Sequence, residues 1–361
     1  MYSFFLYLFI LIYSTTLVWL SEHAKSATNK KIFMFLAFLL VFLPSAIRYG
    51  VGTDFFSYYD IFNYQDLVTK NEYGFYLIND VIRFLNLSFQ WAIAAYSFVF
   101  TFVAFLSYPK RNAWIYHILF MAMLMFFSFN GIRQAISVVF IMLAIKYELE
   151  NRTLILFILV FFASLFHQSA IFLVPAILFS KIPLSYKIKE VVFPLIITGV
   201  TAFIWLGAST FSIAENIVGK LDLPYQHYFE SSYFETANIN TGYLVLTKAL
   251  LALILLLNSS KLLRVSENNW PIIVYTGFFI VFYSLASQSA AFGRLSYVYT
   301  PGVIYFLYLF ISNYSKKSNT WFLFTFLTFF AYVLPYVTTS LSTINNPNND
   351  NSYQTIFNKR F

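Results

Sequence analysis

Three ionisable side chains stand at predicted helix starts in this sequence, and the clearest of them is Arg133. It follows Asn130-Gly131, a pair typical of a tight turn, and it lies in the first turn of an apolar helix. A helix N-terminus attracts anions through its free N–H groups and the positive end of its dipole. An arginine there adds a rigid, bidentate donor suited to phosphate. The segment therefore predicts an anion site. The alternative is an interfacial arginine that reaches the lipid headgroups.

The same arrangement recurs twice. His167, followed by Gln168-Ser169, opens one helix, and Gly293-Arg294 opens another. Charged groups cost about 2.5–3.5 kcal/mol at the centre of a membrane helix, so those found near hydrocarbon tend to be functional. The three helix starts are expected to converge on one anionic group. A hydrogen-bonded structural histidine is the alternative for His167, and structural roles are favoured for His117 and Lys248.

A polar loop begins with Arg48 and continues Tyr49-Gly50-Val51-Gly52-Thr53-Asp54. Two glycines two positions apart indicate a tight backbone path or a nest of N–H groups for an anion. Asp54 and Asp60 have the chemistry of general bases or of ligands for sugar hydroxyls, and a solvated acidic loop is the alternative. The chain contains no cysteine, no His-x-x-x-His and no Asp-x-Asp, so we predict no metal site.

The elements that position these residues must be membrane helices. Hydrophobic residues make up 60% of the 361 residues and charged residues only 11%, whereas soluble domains carry about 25% charged residues. Apolar runs of roughly 17–25 residues, each long enough to cross the bilayer, recur along the chain. The sequence predicts an all-α, polytopic membrane protein with about 12 transmembrane helices (10–14), as a single domain over 1–361. The net charge is +8. In a membrane protein the distribution of these charges among the loops matters more than their sum, so we predict no nucleic-acid partner.

The hydrophobic pattern also predicts the bounds of the helices and loops. Two long external loops are expected at about 48–89 and 210–241, the first with a short amphipathic helix at 76–87, and a polar tail at 338–361. Segments 153–166 and 168–180 are short, so they form either tilted spans or a re-entrant hairpin. The predicted helices are 2–20, 32–47, 90–107, 113–129, 132–147, 153–166, 168–180, 191–209, 242–258, 270–287, 295–312 and 320–337.

The charged residues orient these helices. Lysine and arginine are concentrated in alternate loops, while most aspartate and glutamate residues lie in the other set. By the positive-inside rule, the loops rich in basic residues are cytoplasmic. Both termini are then non-cytoplasmic. The candidate site residues lie near the outer ends of their helices.

A set of short motifs follows in order along nearly the whole chain. They are Arg48, Val51-Gly52-Thr53-Asp54, Tyr58-Tyr59, Glu72-Tyr73-Gly74-Phe75, Leu77-Ile78-Asn79, Arg133-Gln134-Ala135, Phe166-His167-Gln168-Ser169-Ala170, Arg294 and Tyr353-Gln354-Thr355-Ile356-Phe357. Each motif is short, and the ordered set carries the specificity. This set resembles the EpsG family, a branch of the Wzy-like polymerases of bacterial exopolysaccharide, capsule and O-antigen synthesis.

The resemblance implies a reaction at the outer face of the bacterial plasma membrane. A hydroxyl of one polyprenyl-diphosphate-linked oligosaccharide attacks the anomeric carbon of the growing chain, and polyprenyl diphosphate leaves. Arg133 and Arg294 would stabilise the leaving group without a metal or cofactor. His167 or Asp54 would deprotonate the hydroxyl, and Arg48 would bind the second diphosphate carrier. The other expected substrate-binding residues are Gly52, Thr53, Asp60, Gln134 and Gln168.

Three other functions remain open, and one of them, a sensor or structural membrane protein, would not explain the three charged helix starts. A flippase for lipid-linked oligosaccharides should carry basic residues along a central cavity at mid-membrane depth, often in two related halves, and the sequence shows no such halves. A membrane polysaccharide O-acyltransferase would explain His167, although no second feature indicates an acyl donor. Membrane lipids are expected partners in every case. A flippase and a chain-length regulator would be further partners of a polymerase.

Overall fold

The described part of the chain is helical in the computed structural model. The structure describes residues 2–64, 72–205, 243–286, 290–313, 319–345 and 350–357. Within these ranges the helices are connected by turns, and Arg48 and Thr355 form an isolated antiparallel bridge. The predicted external loop at 210–241 lies outside the described residues.

The helices follow the hydrophobic runs of the sequence, and their bounds are as follows. The α-helices are α1 Tyr2–His23, α2 Ala27–Ile47, α3 Phe55–Asn63, α4 Tyr73–Phe84, α5 Phe89–Leu106, α6 Ala113–Asn130, α7 Ile132–Leu149, α8 Thr153–Phe166, α9 Leu173–Ser180, α10 Phe193–Trp205, α11 Tyr243–Leu257, α12 Ser259–Val265, α13 Trp270–Leu285, α14 Ala290–Asn313, α15 Asn319–Thr328 and α16 Leu334–Asn345. Short 3-10 segments span Gln168–Phe172 and Glu267–Asn269, and π-helical segments span Ile188–Val192 and Phe329–Val333.

Local chemistry sets several helix ends. The Ser26 side chain caps α2 by accepting a hydrogen bond from the Thr28 N–H at 3.2 Å. Asn112 and Asn151 have positive φ, at 51° and 60°, immediately before α6 and shortly after α7. Asparagine tolerates this left-handed conformation better than most residues. These turns reverse the chain between neighbouring helices.

Seven helical segments of the described chain are long and apolar enough to cross a membrane, which identifies a membrane protein. They are Tyr2–His23, Ala27–Ile47, Phe89–Leu106, Ala113–Asn130, Ile188–Trp205, Phe292–Asn313 and Trp321–Ile344. The all-helical membrane class is therefore confirmed. The total of about 12 spans, and the choice between tilted and re-entrant for the pair 153–166 and 168–180, stay predictions.

The chain forms two compact units, residues 1–171 with 332–361, and residues 172–331. In the first unit, α1 packs on α2, α6 and α16, while α5 packs on α2 and α7, and α7 packs on α8. Most residues of α7 are buried, so this helix lies within the core of its unit. His117 in α6 is fully buried, with Ser14 Oγ 2.7 Å from Nε2 and the Tyr108 hydroxyl 2.5 Å from Nδ1. These contacts support the structural role favoured for this histidine.

In the second unit, α13 packs on α14, α9, α10 and α11. Gly302 of α14 lies so close to α13 that an added Cβ would be 2.5 Å from Cβ of Tyr275. Gly277 of α13 faces the Phe193 ring in the same way, at 2.7 Å. Small residues at such crossings let membrane helices approach closely.

Three features differ from the predicted bounds. The segment between α2 and α5 contains α3 as well as the expected surface helix, which spans Tyr73–Phe84. The helix α12 was not predicted. The last helical run continues to Asn345, so the predicted start of a polar tail at 338 is wrong. The side chains of Thr338 to Thr343 that hydrogen-bond do so largely to preceding backbone carbonyls, which lets a polar sequence stay helical.

Residues Asp350–Phe357 dock on the segment that follows α2. The Tyr49 N–H donates to the Gln354 carbonyl at 2.9 Å, and the Ile356 N–H donates to the Ile47 carbonyl at 3.2 Å. The Tyr353 hydroxyl donates to the Pro44 carbonyl at 2.9 Å. We call residues 350–357 the C-terminal strap. It covers the end of the first unit at which Arg48 lies.

Candidate functional site

Arg133 lies where the turn chemistry predicts, as the second residue of α7 directly after Gly131. Its Nη1 donates to Oε2 of Glu72 at 2.5 Å. Its guanidinium also faces the rings of Tyr58 and Phe75, with the central carbon 5.5 and 5.3 Å from their centroids. Such cation–π contacts hold an arginine side chain in one position. The anion beside the Arg133 guanidinium is therefore the carboxylate of Glu72.

Glu72 connects Arg133 to His167. Its second oxygen, Oε1, lies 3.9 Å from Nε2 of His167. The Glu72 side chain is 13% exposed and that of His167 is 24% exposed, so both are partly shielded but remain reachable. Two of the three predicted helix starts thus meet at one carboxylate, which itself was not among the predicted site residues.

Burial raises the pKa of the Glu72 carboxyl above its ordinary value, and the positive charge of Arg133 only partly opposes this effect. The sign follows from the charge of the ionised form, because a low-dielectric setting penalises a carboxylate while a nearby guanidinium stabilises it. Protonation of Glu72 therefore begins at a higher pH than for a solvated glutamate. The Arg133 ion pair is present above that pKa and weakens below it.

The Nδ1 side of the His167 ring is also fixed by hydrogen bonds. His167 ends α8, and its Nδ1 lies 2.7 Å from the Ser169 hydroxyl and accepts the Ser169 backbone N–H at 3.3 Å. The Gln134 amide donates to the same hydroxyl at 3.5 Å. A backbone N–H can only donate, so Nδ1 is an acceptor and the neutral ring carries its proton on Nε2. Nε2 is the ring nitrogen that lies 3.9 Å from Oε1 of Glu72.

A close approach of two helices brings Glu72 to His167. Gly74, the second residue of α4, lies against the end of α8, where an added Cβ would lie 3.1 Å from the Phe166 ring and 3.2 Å from the Leu165 carbonyl oxygen. These distances are tighter than ordinary carbon contacts. Glycine at this position lets Glu72, two residues earlier, reach the end of α8.

We expect Gly74→Ala to separate Glu72 from His167, because the added methyl group must push α4 away from α8. Activity should fall several-fold, and the free energy of unfolding should fall by roughly 1–2 kcal/mol. An activity assay and the unfolding midpoint in detergent measure the two effects. Gly199→Ala is the matched control, since no atom lies within 4 Å of a Cβ added there. Wild-type activity from folded Gly74→Ala would contradict this reading of the contact.

The polar loop that begins with Arg48, here called the first loop, lies against the turn before Arg133. Asn130 Oδ1 accepts the Thr53 N–H at 2.9 Å, and the Gly52 N–H donates to the carbonyl of Asp350 in the C-terminal strap at 2.7 Å. Asp54 is the residue before α3, and its carboxylate accepts the Tyr58 hydroxyl at 3.5 Å. Tyr58 faces Arg133, so Asp54 reaches the site through this tyrosine. The first loop is therefore part of the same end of the unit.

Arg48 lies inside the protein and is only 1% exposed. Its guanidinium packs 4.7 Å from the centroid of Phe129, and its Nη1 donates to the Ser45 carbonyl at 3.3 Å. The Nε atom has no hydrogen-bond partner among the described residues. A role in binding the second diphosphate carrier stays a prediction. It would require the covering C-terminal strap to move.

The remaining predicted residues lie on other elements. Arg294 is exposed on the fifth position of α14, because this helix begins at Ala290. The prediction that Gly293-Arg294 opens the helix is therefore wrong by one turn. Arg294 belongs to the second unit, and its convergence with Arg133 stays a prediction. Asp60 is exposed on α3, and Gln168 is half-buried at the start of the 3-10 segment.

Two residues at the centre of the site, Glu72 and Tyr58, were not predicted to have roles. Glu72 directly precedes an amphipathic helix in a long loop, and it is 61 positions from Arg133 in the sequence. The sequence did contain one signal for them, because both residues belong to the ordered motifs, at Tyr58-Tyr59 and at Glu72-Tyr73-Gly74-Phe75. Nothing in local spacing indicates which partner each would meet.

Comparison with known proteins tests the family resemblance of the sequence. No curated protein and no solved structure matches the chain significantly. The model of the EpsG family matches residues 31–353. This range includes the first loop, the site residues Glu72, Arg133 and His167, and Tyr353 of the C-terminal strap. The chain belongs to the EpsG family.

Proposed function

We propose that this protein is a polysaccharide polymerase that joins polyprenyl-diphosphate-linked oligosaccharide repeat units. Its setting would be the outer face of the bacterial plasma membrane, in exopolysaccharide, capsule or O-antigen synthesis. Family membership supports a polymerase-related membrane protein. The observation that carries the specific reaction is the meeting of Arg133, Glu72 and His167 at one end of the helices of the first unit.

The reaction needs a fixed cation beside a leaving diphosphate. A guanidinium presents five N–H donors, and Nη1 of Arg133 is engaged by Glu72. Nε is buried and Tyr58 also hydrogen-bonds this side chain, so the remaining Nη donors would bind diphosphate oxygens while the ion pair keeps the group in place. Charge that develops on the leaving oxygen is then stabilised by a preorganised donor, which is the most effective form of electrostatic catalysis. Diphosphate is a good leaving group, so the protein need not supply a general acid.

The aromatic residues around the site fit a sugar substrate. Tyr58 and Phe75 are buried beside Arg133 and hold it in place, whereas Tyr76, on the same helix as Phe75, is half-buried and can meet a ligand. Aromatic rings provide an apolar surface for the C–H face of a sugar, and tyrosine adds a hydroxyl donor. Exposed aromatic side chains on α3, among them Phe56 and Tyr59, extend this character to the adjoining surface.

The test is chain extension by the purified protein. The full chain is reconstituted in lipid vesicles with lipid-linked repeat units, and the products are separated on a gel. A ladder of glycans spaced by one repeat unit is expected. Transfer of labelled units across the vesicle membrane without a ladder would instead favour a flippase. Acyl transfer to the glycan without extension would favour an O-acyltransferase.

A further inference from the structure

We infer that Glu72 is the group that accepts the proton of the attacking hydroxyl, and that His167 holds this hydroxyl as a hydrogen-bond donor. This assignment rests on the proposed polymerase function and identifies the base at the same site. It replaces the expectation that His167 or Asp54 is the base. The geometry points to Glu72 through three successive observations.

The first observation is the tautomer of His167. Its Nδ1 accepts the Ser169 backbone N–H, so the proton of the neutral ring lies on Nε2. A protonated Nε2 has no lone pair with which to accept a proton. The Ser169 hydroxyl and the Gln134 amide continue this chain of donors toward Nδ1. These contacts favour the tautomer of the neutral His167 ring in which Nε2, the nitrogen nearer to Glu72, carries the proton.

The second observation is the gap between His167 and Glu72. Nε2 and Oε1 are 3.9 Å apart, which is too long for a direct hydrogen bond. A substrate hydroxyl oxygen placed about 2.8 Å from both atoms would have an angle of roughly 90° between the two hydrogen bonds. Such a hydroxyl accepts from Nε2–H and donates to Oε1. The arrangement suits a nucleophile whose proton moves to the carboxylate and whose lone pair remains available.

The third observation is that the two carboxylate oxygens of Glu72 have different neighbours. Oε2 is engaged by Arg133, which fixes the carboxylate, whereas Oε1 faces His167. The pKa of Glu72 stays above its ordinary value because burial outweighs the effect of Arg133. A carboxylate with a raised pKa is a better proton acceptor than a solvated one. The same ion pair connects the base to the residue expected at the leaving group.

The step then balances as follows. The hydroxyl oxygen of the acceptor repeat unit forms a bond to the anomeric carbon of the growing chain. The bond from that carbon to the diphosphate oxygen breaks, and polyprenyl diphosphate leaves with the electron pair. The hydroxyl proton passes to Oε1 of Glu72 and is later released to water. No oxidant, metal or further reactant is required.

Glu72→Gln tests the assignment, because glutamine keeps the shape and the hydrogen bonding but cannot take the proton. We expect kcat to fall about 100-fold or more, in line with the usual contribution of a general base, with little change in KM for the lipid-linked donor. Glu267→Gln is the matched control, since Glu267 is an exposed glutamate paired with Lys189 at 3.2 Å. Wild-type kcat in folded Glu72→Gln would overturn the inference.

The pH profile separates Glu72 from its neighbours. Wild-type kcat should fall as the pH drops through the raised pKa of Glu72, because the protonated carboxyl cannot act as a base. This acidic limb should vanish in Glu72→Gln and persist in His167→Gln, whose amide keeps a donor but does not titrate. A limb lost in His167→Gln and kept in Glu72→Gln would make His167 the base. The titratable and charged groups around Glu72 are Arg133, His167, Tyr58, Tyr76 and Asp54.

Glu72→Asp gives a second route if Glu72→Gln does not fold. Aspartate keeps the charge that Arg133 needs but withdraws the carboxylate by one methylene. A lower kcat with a retained acidic limb is expected, and an unchanged kcat would contradict the assignment. Absence of a ladder from the wild-type protein would refute the polymerase function itself. A wild-type ladder with unaffected Glu72 variants would refute only the role of Glu72.

Discussion

Replacing Arg133 with alanine should stop chain extension. The guanidinium is the fixed cation of the site, placed by the first turn of α7, by Glu72 and by the rings of Tyr58 and Phe75. Loss of one preorganised donor to developing negative charge lowers a rate by about 100- to 1,000-fold. The ladder of glycans should shrink to unextended repeat units. Wild-type chain length and yield from folded Arg133→Ala would exclude this role.

Matched variants distinguish a catalytic loss from a structural one. Arg133→Ala leaves Glu72 partly buried without its partner, and this should cost roughly 1–3 kcal/mol of stability. Adding Glu72→Gln removes the stranded charge, so the double variant should regain thermal stability while remaining inactive. Arg152→Ala is the control for loss of an arginine, since Arg152 forms an exposed ion pair with Glu150 at 3.5 Å beyond the other end of α7. It should extend chains normally.

Gly52→Ala should have the largest effect on folding. The residue has φ of +98°, a conformation that residues with a Cβ rarely adopt. An added Cβ would also lie 2.1 Å from the carbonyl oxygen of Phe129, and this neighbour is backbone that cannot rotate away. Strain and overlap together should cost roughly 3–5 kcal/mol. We expect little folded protein in gel filtration and a strongly lowered unfolding midpoint.

Gly50→Ala isolates the conformational part of that effect. Gly50 also has positive φ, at +65°, but its added Cβ would meet only the Phe56 ring at an ordinary distance of 3.4 Å. The cost should therefore be about 1–2 kcal/mol, the usual penalty for a left-handed residue with a side chain. Equal loss of stability in the Gly50 and Gly52 variants would show that the contact with Phe129 is not decisive.

The sequence was informative where local chemistry determines position. Asn130-Gly131 ends one helix and starts the next, so Arg133 could be placed in the first turn of α7 from the pair alone. His167 could be placed at the start of the next short segment for a similar reason, because α8 ends there. The apolar runs likewise gave the class and most helix bounds, since a membrane helix needs a continuous hydrophobic stretch.

Long-range pairing was not predictable in the same way. The partner of Arg133 lies 61 positions earlier, and the approach that brings it there depends on Gly74 packing against the end of α8. A single sequence carries no signal for such a contact. Local pattern also failed for α3, which is short and aromatic and resembles the rest of its loop. The site was therefore predicted with its cation and its histidine but without the carboxylate that joins them.

The C-terminal strap has a consequence for biosynthesis. Membrane helices are inserted in the order in which the ribosome makes them, so residues 1–171 are in place long before residues 350–357 emerge. Until then the backbone donors of Tyr49 and Gly52 lack their acceptors, and Arg48 lacks its cover. The first unit is thus completed only after residues 172–331 of the second unit have been made. Chains that stop before residue 350 would insert these helices into the membrane yet leave the Tyr49 and Gly52 donors without their acceptors.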